Sequence, residues 1–183
     1  SLALDADGHV HISYHDWTNG DLKYAVSNAL DEWDIFTVDP GGGFLVGTFT
    51  SLALDAAGHV HISYCNDSGG HLRYATNASG SWVTTTLDST GYVGRYTSLA
   101  LDADGHVHIS YYDSTNGNLK YATNALDFWI TTPVDTSFGD VGQYTSLAVD
   151  ADGHVHISYY DDTKTKLKYA TNATVTFCRS EQR

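Results

Sequence analysis

The sequence predicts an all-β fold, a β-propeller of four four-stranded antiparallel blades, on three observations. The unit SLALDADGHVHISYYD at 98–113 recurs in near-copies that begin at Ser1, Ser51 and Ser146. The resulting spacings of 50, 47 and 48 residues lie in the range of propeller blades. Apolar residues alternate at period two throughout, and no stretch carries a helical period. The blades are therefore placed at 1–50, 51–97, 98–145 and 146–183.

Each copy encodes the same strands in order. The first, Ser-Leu-Ala-Leu-Asp, is closed by Ala-Asp-Gly (Ala56-Ala57-Gly58 in the second copy), whose glycine suits the positive φ of a short hairpin. The second, His-Val-His-Ile-Ser-Tyr, is rich in β-branched and aromatic residues. Polar turns follow, Asp16 to Gly20, Asn66 to Gly70, Asp113 to Gly117 and Asp161 to Thr165, and lead into Leu-Lys-Tyr-Ala or, in copy two, Leu72-Arg-Tyr-Ala75. An Asn then precedes an aromatic residue by five positions: Asn28 and Trp33, Asn77 and Trp82, Asn124 and Trp129, Asn172 and Phe177. That spacing marks the fourth strand even where the last copy has drifted. The glycine-bearing linkers 40–50, 89–97 and 136–145 read as loops.

Alternation gives each blade two unlike faces. Leu2, Leu4, Val10, Ile12 and Tyr14 make a large-residue face; Ser1, Ala3, His9, His11 and Ser13 make a small one. A large face is expected to settle on the small face of the next copy, so that identical units stack in one rotational sense. Neither terminus carries a spare strand for another blade. The four blades are expected either to close alone as a monomer or to form half of an eight-bladed ring closed by a C2 dimer.

The units Gly-His-Val-His-Ile-Ser-Tyr-Tyr-Asp and Leu-Lys-Tyr-Ala-Thr resemble the His-Ile-Ser-Tyr-Tyr-Asp repeats of a family of secreted, largely uncharacterised β-propellers. The resemblance spans all four copies and implies a secreted or cell-surface protein without specifying an activity. The pattern departs from the Asp-box of sialidases, because Asp5-Ala-Asp-Gly8-His-Val-His lacks its Asp-x-Gly and following Trp. The Trp-Asp ending of WD repeats is absent too.

Charge narrows the partners. Nine Lys and Arg stand against 22 Asp and Glu, a formal net charge of −13, which disfavours nucleic acid and anionic membranes. No apolar run approaches the roughly 18 residues that would insert into a bilayer. The chain contains no Met and opens directly on a repeat, as expected of a processed or excised product. Cys65 and Cys178 lack repeat-encoded partners and are expected as unpaired, partly buried thiols rather than a disulfide. Sequons at Asn66, Asn77 and Asn172 fit glycosylation but are expected by chance in so Asn-, Ser- and Thr-rich a chain.

The candidate ligand site lies where linkers and polar turns share one end of the ring. Phe49, Tyr96 and Tyr144 come from the linkers; Asp16, Trp17, Asn66, Asp113 and Asp161 come from the turns. Aromatic planes beside carboxylates and amides suit sugar rings, so a non-enzymatic, lectin-like module binding carbohydrate or glycoprotein is expected. A protein-interaction scaffold, or a metal-binding or hydrolase-type site near the axis, is the alternative. Packing of the Tyr-Thr pairs and Asx-turns formed by the acidic residues is the competing structural explanation.

The repeated His-x-His resembles a metal-ligand pattern, but its place on the second strand, a whole blade from its neighbours, predicts a structural role. The Asp-x-Asp-Gly turns hint at calcium, yet Ala57 interrupts the pattern. No cofactor is implied, and a cation on the ring axis is compatible with the sequence. No catalytic residue is assigned. Polar residues repeat instead of forming one asymmetric set, and Arg73, Arg95, Arg179 and Arg183 do not supply a sialidase arginine triad.

Overall fold

The computed structural model describes residues 1–28, 32–173 and 177–181. Its first blade contains β1 (Leu2–Leu4), β2 (Val10–Asp16), β3 (Asp21–Ser27) and β4 (Trp33–Asp39), and the second β5 (Val46–Leu54), β6 (Val60–Asn66), β7 (His71–Thr76) and β8 (Val83–Asp88). The third contains β9 (Val93–Leu101), β10 (Val107–Asp113), β11 (Asn118–Thr123) and β12 (Ile130–Asp135). β13 (Val141–Val149), β14 (Val155–Asp161), β15 (Lys166–Thr171) and β16 (Cys178–Glu181) form the fourth. Each blade is an antiparallel sheet in simple sequence order, so the propeller of four-stranded blades read from the repeat is the architecture of the chain. Among the described residues there is no helix, and none long and apolar enough to cross a membrane.

The linkers hold more strand than their glycines suggest. β5, β9 and β13 begin at Val46, Val93 and Val141, inside the segments expected to be loops, and cross irregular registers before reaching the repeat serine. Gly47 shows why: at φ +88°, a Cβ there would lie 2.7 Å from Leu22 Cα. Gly142 stands in the same relation to Leu119. These glycines permit close passage over the preceding blade and a bulge in the strand.

The core lies between blades. Leu22, Tyr24 and Val38 meet Val46, Leu52, Val60, Ile62 and Tyr64; the same set recurs from Leu72 to Tyr111 and from Leu119 to Tyr159. The stacking sense is the reverse of the expected one, because each large face settles on the small face of the preceding copy. The serine that opens each repeat fixes this direction: Leu52, Leu99 and Leu147 donate their backbone N–H to Oγ of Ser1, Ser51 and Ser98 at 2.9–3.1 Å.

Each of the three junctions also carries one ionic knot. Tyr64 donates its O–H to Asp39 at 2.6 Å, Tyr111 to Asp88 at 2.7 Å and Tyr159 to Asp135 at 2.7 Å. Arg73, Lys120 and Lys168 bind the same three carboxylates. Burial, and then the adjoining carboxylate, push the Tyr64 and Tyr159 hydroxyls well above the ordinary phenol range.

Candidate functional site

At the hairpin end, the Asp that closes the first strand organises both histidines. Asp55 Oδ1 accepts the backbone N–H of Ala57 and His59, while Oδ2 accepts from His59 Nδ1 at 2.8 Å and His61 Nε2 at 3.4 Å. His61 Nδ1 then accepts from the Tyr74 hydroxyl at 2.5 Å. Copies of this network centre on Asp5, Asp102 and Asp150. Donation to Asp from one nitrogen and acceptance from Tyr at the other describe a neutral imidazole. Burial accordingly lowers the pKa of His61 and His108, against the pull of their carboxylates. The His-x-His pattern is thus used for sheet-to-hairpin bonding. Asp5, Asp7 and His9, and likewise Asp150, Asp152 and His154, lie close enough to share a cation, but they are members of the same networks.

The linker end differs. At positions where the copies diverge, the second blade has Cys65 and Asp67, the third Tyr112 and Arg95, and the fourth Tyr160 and Gln143. Arg95 grips Asp67 Oδ1 through Nε at 2.9 Å and Nη2 at 2.8 Å, and this bonding raises its already high pKa. Asp140 accepts from the Tyr112 hydroxyl at 2.6 Å and from Gln143 Nε2 at 3.0 Å. Burial and then this carboxylate raise the pKa of Tyr112. None of these residues belonged to the expected set. Their signal was variation between copies: the position of Asp67 is Trp17 and Ser114 in two copies and Asp162 in the last, while Asp140 stands where Leu45 and Tyr92 do.

Three expected residues come together here. Phe49, Tyr96 and Tyr144 all adopt left-handed backbone, with φ of 53°, 54° and 50°. That conformation is costly for non-glycine residues and marks strain held by its surroundings. It brings the ring centroids of Phe49 and Tyr96 within 4.9 Å and those of Tyr96 and Tyr144 within 4.4 Å. Together with Thr50, Thr97 and Thr145 they line a shallow cavity of about 310 Å³. The Tyr96 hydroxyl titrates above the ordinary phenol range, chiefly through burial and then its bond to Tyr144.

The remaining expected residues lie in the turns. Asp16 accepts from the backbone of Thr18 and Asn19, Asn66 from Gly69, and Asp113 from Thr115 and Asn116. Asp161 is wholly buried, accepting from Lys164 N–H at 2.9 Å with its other oxygen 3.7 Å from Lys168 Nζ. These side chains act as Asx-turn acceptors. Trp17 is 75% exposed and meets the edge of His15. Cys65 is a free, buried thiol that burial pushes up to about 12, while Cys178 is exposed.

The chain matches no family model and no curated protein. Among solved structures it is similar to a GH43 β-1,3-galactosidase, with TM-score 0.67 and 12% identity over all of this chain and 44% of that one. An exo-β-1,3-galactanase from Phanerochaete chrysosporium gives 0.63 and 12%, covering all of this chain and 48% of the other. A Hadza microbial sialidase gives 0.63 and 12%, covering all of this chain and 45% of the other. At such identities the likeness shows the fold, and the chain spans under half the length of these three structures. They nevertheless correct the expectation of a non-enzymatic, lectin-like module: the propellers that this chain resembles are mostly glycoside hydrolases, and the sequence-based exclusion of enzymatic activity falls with it. That exclusion rested on the repetition of polar residues, whereas the linker end holds an asymmetric polar set.

Proposed function

We propose that the chain forms the glycan-facing part of a carbohydrate-active propeller of glycoside-hydrolase character. The observation that carries this reading is the asymmetric linker end. There an aromatic floor of Phe49, Tyr96 and Tyr144 adjoins two oriented carboxylates that no other copy reproduces in the same setting. Sugar CH faces pack on aromatic planes, and cleavage of a glycosidic bond ordinarily uses a pair of carboxyl groups. Asp140, held by Tyr112 and Gln143, and Asp67, held by Arg95, are the candidates for that pair. The galactosidase, galactanase and sialidase neighbours support carbohydrate as the substrate class. The resemblance of the repeats to secreted propellers supports placement outside the cell.

The test is sugar release from β-1,3-galactan oligosaccharides, sialyllactose and a panel of aryl glycosides, followed chromatographically. Turnover of at least one substrate is expected, with Asp140→Asn and Asp67→Asn each reducing it roughly 100-fold or more while the far-ultraviolet spectrum is unchanged. Absence of release across the panel, or release that both variants retain, overturns the reading.

A further inference from the structure

The candidate carboxylate Asp67 lies on the turn 66–70, and that turn backs an aromatic ring outside the floor. Tyr92, in the linker between blades 2 and 3, lies against Gly70: a Cβ on that glycine would stand 3.0 Å from Tyr92 Cγ and Cδ1. Gly70 is buried beneath the ring, while Tyr92 itself is 52% exposed. The following turn fixes its backbone. Tyr92 N–H donates to Thr115 Oγ1 at 2.7 Å, and its carbonyl accepts from the N–H and the hydroxyl of Ser114, both at 2.9 Å. The ring is thus backed by turn backbone and open to solvent elsewhere. Turn and linker belong to blades 2 and 3, which blades 1 and 4 flank.

Arg95 connects this ring to the floor. Its guanidinium grips Asp67, and the carbon of that group lies 6.0 Å from the centroid of the Phe49 ring, which in turn meets Tyr96. The pair of Asp67 and Arg95 therefore joins two aromatic surfaces. Phe49 and Tyr96 stand on its Arg95 side, and Tyr92 stands on the turn that carries Asp67.

We infer that Tyr92 is a second sugar platform, and that the substrate is a neutral glycan chain of several consecutive sugars. The inference rests on the carbohydrate reading above and adds the length and charge of the substrate. One sugar stacks on the floor and another on Tyr92, because sugar CH faces pack on aromatic planes. The sugar between them lies over Asp67 and Arg95, whose carboxylate and guanidinium bond to hydroxyls. Two weak contacts at a fixed spacing hold one chain far more tightly than either holds a single sugar, since the second contact is made intramolecularly. The formal charge of −13 disfavours a polyanionic chain in the same place.

The repeat supplies this platform at one junction only. The equivalent of Tyr92 is Leu45 in the preceding linker and Asp140 in the next. Asp140 leans on Gly117 as Tyr92 leans on Gly70, with a Cβ there 3.4 Å from Asp140 Cα. Equivalent places around the ring thus hold a stacking surface at one junction and a candidate carboxylate at the next, which gives a bound chain a direction.

Calorimetric titration with β-1,3-linked galactobiose and with longer β-1,3-galactan chains tests this, on the Asp140→Asn protein so that bound sugar is not consumed. The longer chains are expected to bind more tightly than galactobiose. Adding Tyr92→Ala should weaken the longer chains roughly tenfold and leave galactobiose within about twofold, with an unchanged far-ultraviolet spectrum. Tyr92→Trp should restore the loss, whereas Tyr96→Ala should weaken every length. Affinity that does not grow with length, full affinity in Tyr92→Ala, or failure of Tyr92→Trp to restore it overturns the second platform while the carbohydrate reading stands. Tighter binding of a polyuronate than of galactan overturns the neutral chain. Absence of binding at every length overturns the carbohydrate reading and this inference with it.

Discussion

The hairpin end and the linker end are built by the same repeat and carry opposite information. At the hairpin end, one Asp–His–His–Tyr network is drawn four times with little change. At the linker end, the framework repeats but the side chains do not. Arg95 grips Asp67 at one junction, and Tyr112 and Gln143 grip Asp140 at the next. Repetition here marks what each blade needs in order to fold, and divergence marks where the blades have separate tasks. Substitutions at the first end should therefore cost stability, and those at the second should cost recognition or turnover.

The largest expected effect is from Asp102→Ala at the hairpin end. It strands the backbone N–H groups of Asp104 and His106 and the donors of His106 and His108. A loss of about 2–3 kcal/mol in urea unfolding is expected from the orphaned partners. A loss near zero would mean that the network is decorative, and the comparison would fail.

Acidification should act on the hairpin end next, by a smaller amount per network. His61 and His108 have lowered pKa values, so the unfolded state binds protons first and stability declines as pH falls from the unfolded value near 6.5. Asp55 and Asp102 are depressed to about 2, so their stabilisation is intact above the unfolded value near 4 and is lost between there and about 2. His106, raised mainly by its bond to Asp102, opposes the first step. Thermal unfolding between pH 7 and 2 should therefore show falling midpoints in both windows; a flat profile between 6.5 and 5 would remove the buried neutral imidazoles from the account.

The smallest effect on stability is expected at the linker end. Tyr144→Gly removes an exposed ring but relieves a left-handed backbone at φ 50°. Stability should remain within about 0.5 kcal/mol, because relief of strain offsets the lost ring contact and the added chain entropy. Affinity for any glycan bound on the aromatic floor should fall about tenfold. A large loss of stability would make the Tyr144 ring a packing element and weaken its assignment to the site.

Parts of the site were legible and parts were not. Phe49, Tyr96 and Tyr144 could be found because each sits in the same place in a repeated linker. Asp16, Asn66, Asp113 and Asp161 shared that regularity, yet the structure uses their oxygens to accept turn N–H groups. An acidic residue opening a polar turn looks the same in sequence whether it faces a ligand or its own backbone. Asp67, Arg95 and Asp140 were not legible because they stand at positions that vary between copies, where the repeat carries no signal.

The sequence by itself determined the number of blades, the strands within each and the two unlike faces, since period-two alternation and a repeat near 48 residues constrain every copy alike. Which face meets which was a tertiary decision. Alternation says that large and small sides exist, but only the bond from Leu52 N–H to Ser1 Oγ, and the need of Gly47 to pass over Leu22, give the stack its direction. Tertiary structure likewise turned His-x-His from a pair of apparent ligands into donors to one Asp, and gathered three aromatic rings from linkers about 48 residues apart. Those outcomes depend on distances between blades, a quantity that local pattern does not encode.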